Sequence, residues 1–176
     1  DTAAQASAAP TPTGSVAALP FVALSSGPDD GYFADGLSEE IINALTSLPD
    51  LLVTARTSAF HFKGKDTPIP ELARVLGVEH VLEGSVRRAG DQVRITAQLI
   101  RAADGFHLWS QTYDRSLSDV FAAQTDIAEN VASTLGVLLD ERKRKLMADA
   151  GVGDIEAFLA YSRARELYER AHGDEP

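Results

Sequence analysis

The segment 78-VEHVLEGSVRRAGDQVRITAQLI-100 decides the fold. In its second half Val93, Ile95, Ala97 and Leu99 fall on one side, and Arg94, Thr96 and Gln98 on the other. A period of two marks a strand packed on one face and wet on the other. The turn formers 89-AGD-91 and 102-AADG-105 then divide residues 79–88, 92–101 and 105–113 into three successive strands, an antiparallel meander. Arg87 and Arg88 are neighbours in a strand, so they point to opposite faces and do not form a joint clamp on one phosphate.

Upstream, 15-SVAALPF-21 is a short apolar run closed by Pro20, which reads as a buried strand. After the turn-rich loop 25-SSGPDDGYFADG-36, residues 37–48 place Leu37, Ile41, Leu45 and Leu48 on one helical face. Asp35 or Ser38 is the expected cap, with Glu39 and Glu40 at the positive end of the helix dipole. A second strand over 51-LLVTART-57 completes a βαβ unit, which predicts parallel strands and a right-handed crossover. A helix over 69–77 places Leu72, Val75 and Leu76 inward and stops at Gly77.

Downstream, residues 118–149 return to a helical period, with Val120, Ile127, Val131, Leu135, Leu138 and Leu139 on one side. The cations 142-RKRK-145 lie near the expected C-terminal end, where the dipole favours them. The last segment, 154–172, is amphipathic, with Phe158, Tyr161, Ala164, Leu167 and Tyr168 at helical spacing and no following partner helix. The expected fold is therefore α/β (α+β): a mixed sheet of about five strands in the order βαβαβββα, then a long helix and a final amphipathic helix, which the resemblance described below makes a truncated helical repeat.

Composition narrows the function. The chain has 176 residues, 44% of them apolar, which suits one ordinary domain with an appendage. Acidic residues outnumber basic ones 26 to 16, and a net charge of −10 repels nucleic acid and anionic lipid on average. The absence of cysteine removes disulfides, thiolate catalysis and cysteine-ligated metal. No run of about 18 apolar residues is present to span a membrane. Residues 1–14, rich in Ala, Thr and Pro, read as a flexible linker, and a chain that opens in mid-linker is expected to be a piece of something longer.

Catalytic constellations are missing too. His61, His80, His107 and His172 are scattered, so no metal site is expected. Around 62-FKGK-65, Ala59 and Asp66 stand where a phosphate-binding loop needs glycine and Ser or Thr. Gly84-Ser85 lies inside a strand and lacks the second glycine of a nucleophile elbow. Glu39 and Glu40 point about 100° apart on a helix and cannot serve one bond as an acid/base pair. Neither catalytic residues nor a cofactor are expected. The candidate site is instead the loop pair 22–36 and 58–68, which must emerge at the carboxyl edge of the sheet, where open α/β sheets bind ligands. There Asp35, Arg56, Thr57, Ser58 and Lys63 offer polar contacts to a small anion or a partner segment; the competing reading is that Asp35, Ser38 and Thr57 cap and brace the loops. Trp109 and Tyr113 share a strand face with His107, either as sheet packing or as an exposed aromatic strip for a partner.

The segments 33-FADGLSEEIINAL-45, 56-RTSAFHFKGK-65, 75-VLGVEHVLEGSVRRAGDQVRITAQLI-100 and 106-FHLWSQTYDR-115 resemble the TolB amino-terminal-like (FlgO-like) module of bacteria, over about residues 15–130. Ala23 and Arg101 depart from the Asn and Asp that members often carry. The resemblance implies a module placed between a transmembrane helix and tetratricopeptide repeats, with a cyclase, kinase or winged-helix domain on the far side of the membrane. It implies a linker over 1–14, the α/β domain over 15–130, a connecting helix over 131–150 and the first repeat helix over 154–172. It further implies a non-catalytic sensory or protein-interaction role in the periplasm, as part of an inner-membrane protein. A protein partner in the cell envelope is expected, with self-association as an option, and no nucleic acid bound by this piece. The rival expectation is a small-ligand or nucleotide-binding regulatory domain.

Overall fold

The computed structural model describes residues 14–151 and 154–172, so all of the expected linker except Gly14 lies outside the described residues. The fold is mixed α/β. Strands β1 (Ser15–Ala18) and β2 (Val22–Ala23) run parallel to β4 (His80–Ala89), and β3 (Leu52–Val53) runs parallel to β1. β4, β5 (Gln92–Arg101) and β6 (His107–Ser116) form the expected meander. The order is β3-β1-β4-β5-β6, with β2 beside β4, which makes six strands rather than five. A two-residue turn, Gly90-Asp91, links β4 to β5, and its first position takes φ 58°, a conformation that suits glycine.

Strand alternation sorts side chains onto two unlike faces. Val16, Ala18, Leu82, Val86, Val93, Ile95, Ala97 and Leu99 form the main core with α1 (Asp30–Thr46) and α4 (Val120–Thr134). On the other face Val81 packs with Ala102, Leu72 and Ala73 beneath α3 (Ile69–Leu76). The rest of that face is polar and paired across strands. Gln98 donates to Glu83 at 2.5 Å, Thr96 meets Thr112 at 3.2 Å, and Arg94 holds Asp114 through two bonds of 2.7 and 3.1 Å.

Several expectations are corrected. The run 15–21 is not one strand: it breaks at Pro20, which lacks a ladder N–H, and resumes as β2. Helix α1 begins at Asp30, so Asp35 and Ser38 are interior residues and cap nothing. Ser38 Oγ donates to the Ala34 carbonyl at 2.7 Å and accepts from Phe21 N–H at 2.8 Å, pinning the strand break to the helix. Glu39 and Glu40 likewise sit in mid-helix, away from the dipole's positive end. The second strand of 51–57 shrinks to β3, and α2 (Arg56–Phe60) replaces its end. In α3 the buried stripe is Leu72 and Ala73, while Val75 is 61% exposed.

The long helix expected over 118–149 is two helices. α4 ends at Thr134, where Gly136 takes φ 84° and the N–H groups of Gly136 and Val137 bond the carbonyls of Ser133 and Ala132. That double closure is a Schellman motif. Leu138, expected inside, is 86% exposed in the connection. α5 (Glu141–Asp149) starts anew with Asp140 accepting from Lys143 N–H, so the 142–145 cations occupy its first half, against the dipole rather than with it.

The final helix, α6 (Ile155–His172), finds a partner within the domain. Phe158 is buried between the rings of Phe33 and Phe121, edge-on to each at 5.6 Å. The contact needs Gly36 in α1, where a Cβ would lie 2.9 Å from the Phe158 ring and from Ser162 Oγ. Glycine costs a helix interior about 1 kcal/mol relative to alanine, and this close approach is what it supports. Tyr161, Leu167 and Tyr168 remain more than half exposed.

Gly84 plays the matching role in the sheet. A Cβ there would press into the Thr96 carbonyl oxygen and lie 2.7 Å from the Phe21 ring. Gly84→Ala is expected to cost about 1–3 kcal/mol through overpacking, read as a lower urea midpoint with an unchanged slope.

Candidate functional site

The loops expected to form a site do converge, around the acidic stripe of α1. Asp35 and Glu39 are four residues apart, so they share one helix face. Lys63 reaches Asp35 at 2.5 Å. Glu39 is ion-paired with two arginines: Arg56 of α2, whose guanidinium also stacks 4.0 Å from the Phe60 ring centroid, and Arg165 of α6 at 2.5 Å. One carboxylate thus joins three helices. Both arginines and Glu39 are at least two-thirds shielded, so this ion cluster is less screened than a surface pair.

Beyond Lys63 the α2–α3 loop borders a groove of about 540 Å³ on the polar face of the sheet. Its floor is Glu83, Ser85, Thr96 and Gln98, and its rim carries Val22 and Leu24 together with Lys63 and Lys65. Val22 and Leu24 are 59% and 54% exposed, an open apolar edge beside the parallel strand β2. Lys65 lies 3.0 Å from His61 and 5.9 Å from the Phe62 ring centroid, so it adds positive charge to the rim of a strongly acidic chain.

Of the residues singled out in the sequence, Asp35, Arg56 and Lys63 come together. Thr57 and Ser58 do not join them: they are exposed on α2, the helix that replaces the expected strand end. Trp109 and Tyr113 lie on β6, at the opposite edge of the sheet, and form no exposed strip. Trp109 packs against the main core and Tyr113 is 2% exposed beneath α4. Burial pushes the Tyr113 phenol above its ordinary value, and Asp126 adds to the shift. Glu39 as the hub and Arg165 as its second arginine escaped sequence reading. The four-residue spacing of Asp35 and Glu39 is a visible signal, whereas Arg165 stands 126 residues away from Glu39.

Among the described residues no three His, Asp or Glu side chains gather as a metal site. No described helix is long and apolar enough to cross a membrane.

With fold and site in place, comparison with known proteins adds context. No family model matches the chain. A curated relative from Rhizobium meliloti (strain 1021), named "Putative adenylate cyclase 3", is 43% identical over 152 residues. The match covers 86% of this chain but only 26% of the relative, so the chain spans about a quarter of that protein's length. Among solved structures, lipoprotein GNA1162 from Neisseria meningitidis superposes with a TM-score of 0.50 at 18% identity, over 58% of this chain and 80% of that one. TolB from Acinetobacter baumannii also gives 0.50, at 12% identity, over 71% of this chain and 29% of that one. These two likenesses define the class of fold, a mixed α/β unit that recurs in TolB and in a lipoprotein. The particular relationship by sequence is to part of the protein named for adenylate cyclase.

Two outcomes are expected. Glu39→Gln removes the carboxylate that Arg56 and Arg165 share and should cost about 2 kcal/mol, with faster proteolysis within α6. Tyr113 has a folded pKa above its unfolded value, so the folded state holds its proton more tightly. Its contribution to stability is fully present below the unfolded value of about 10 and is lost as pH rises through the folded pKa. Unfolding free energies measured across alkaline pH should fall less steeply in Tyr113→Phe.

Proposed function

We propose that the chain is a non-catalytic, extracytoplasmic sensory and protein-interaction module of a membrane-anchored bacterial signalling protein. In this reading residues 15–130 form the recognition domain, 131–150 connect it onward, and 154–172 are the first helix of a tetratricopeptide-type array. The observation that carries the proposal is the Glu39 hub. It ties α2, the helix that leads into the groove loop, to α6, while Lys63 ties the loop itself to Asp35 on the same face of α1, so a partner that moves this loop bears on α6 through α1 and α2. A relative named for adenylate cyclase, of which this chain corresponds to a quarter, supports a role as one module of a longer signalling protein.

The groove rim favours a protein segment from the cell envelope as the partner. Exposed Val22 and Leu24 supply apolar contact, and Lys63 and Lys65 supply charge complementary to an acidic stretch. A second reading, a small-ligand or nucleotide-binding regulatory domain, draws on the hydroxyl, amide and carboxylate groups of the groove floor.

Cross-linked capture from envelope extract, run beside a thermal-shift screen of metabolites and nucleotides, separates the two. The expected result is a protein captured by the native chain and lost with Val22→Asp plus Leu24→Asp. A metabolite that raises the melting temperature while no protein depends on the rim overturns the proposal in favour of the second reading.

A further inference from the structure

The two edges of the sheet are built differently. On one side the sheet ends in strands of two residues, β3 and β2, and the chain breaks at Pro20 between β1 and β2. Short edges and proline are how proteins blunt an edge against pairing. On the other side β6 runs for ten residues, without proline, glycine or lysine, and among the described residues pairs with β5 alone. Its central residues Ser110, Gln111 and Thr112 are exposed. From Trp109 to Ser116, past an irregularity opposite Leu99 and Ile100, this edge keeps a regular register, and such an edge is a template for another strand.

The sequence of β6 says which strand. Read outward from Gln111, 109-WSQTY-113 is chemically palindromic: a hydroxyl residue on each side, then an aromatic on each side. An isologous antiparallel pair needs this symmetry, because each residue at one distance before the dyad meets the residue at the same distance after it. Opposed residues in such a pair also share a sheet face, and the register with β5 satisfies this. Ser110 and Thr112 stand beside Gln98 and Thr96 on the polar face, and Trp109 and Tyr113 beside Leu99 and Ile95 on the core face.

We infer that β6 is a homodimer interface, pairing antiparallel with β6 of a second copy about a two-fold axis at Gln111 and joining two six-stranded sheets into one. Gln111 faces its own copy, where each amide is both donor and acceptor. Ser110 meets Thr112, a hydroxyl pair of the kind that stabilises cross-strand contacts, while Trp109 stands in register with Tyr113, whose ring α4 already covers. The pairing is confined to residues 109–113: the register shift opposite Leu99 and Ile100 puts His107 and Arg115 on opposite faces, and Asp114 is held by Arg94 within its own sheet. Each copy carries a net charge of −10, so added salt should tighten the dimer.

Sedimentation equilibrium of the whole 176-residue chain tests this, with variants confined to exposed positions. In the proposed register, Ser110→Lys with Thr112→Lys sets like charges against each other twice. Ser110→Lys with Thr112→Asp sets opposite charges against each other twice. The expected result is a native dimer whose Kd rises about tenfold or more in the first double variant and is kept in the second, with the melting temperature of the isolated fold unchanged in both. The chain has no cysteine, so Gln111→Cys should cross-link to a dimer under mild oxidation while Val22→Cys should not. A native chain that stays monomeric at every concentration overturns the inference. So does a dimer indifferent to both double variants, or one that cross-links through Val22→Cys instead, since either places the contact on another surface.

Discussion

The contact of the Phe21 ring with the bare backbone of Gly84 is the constraint on which the sheet depends. Strand β1 pairs with β4 as far as Ala18 and does not continue unbroken along it. Instead the chain turns at Pro20, drops a phenyl ring into the space that Gly84 leaves, and re-pairs two residues later as β2. Ser38 takes the Phe21 N–H that this turn exposes, so a hydroxyl inside α1 satisfies a donor that the ladder lost. The same event tips Val22 and Leu24 outward and opens the groove. A packing detail in the core thus sets the chemistry of the surface.

What could be read from the chain divides along a physical line. The meander was legible because its signals are local: alternation in β5, glycine at a two-residue turn, and Gly77 closing α3 in the left-handed conformation. The buried stripe Leu37, Ile41, Leu45 and Leu48 was equally plain. The start of α1 was hidden because 25–36 is dense in glycine, proline and aspartate, which read as loop. Gly36 is tolerated inside the helix only because α6, more than a hundred residues later, fills the space above it. The break after Thr134 turns on one glycine in a sequence whose apolar period runs on through it.

The site followed the same rule. Asp35, Arg56 and Lys63 share a neighbourhood because topology brings their segments together at one face of α1. Thr57 and Ser58 were misplaced because 51–57 reads as strand by composition but ends as the helix α2. Glu39 was assigned to the helix dipole, a local explanation; its actual partners, Arg56 and Arg165, come from elements distant in sequence, where local reasoning has no purchase. Trp109 and Tyr113 carried a true signal of facing, since both lie on one side of β6, but the side is the one that α4 covers.

The docking of α6 carries a consequence for whatever continues from it. Phe158 and Arg165, seven residues apart and so almost two full turns, are both fixed to the domain. Their attachment sets not only where the helix lies but its phase about its own axis. Tyr161, Leu167 and Tyr168 therefore point in directions dictated by α1. Inserting a single residue between Arg165 and Leu167 would turn Leu167 and Tyr168 by about 100° while the anchors hold. Any element packed on the far side of α6 inherits an orientation in which its own sequence has no part: the joint behaves as a keyed coupling rather than a swivel.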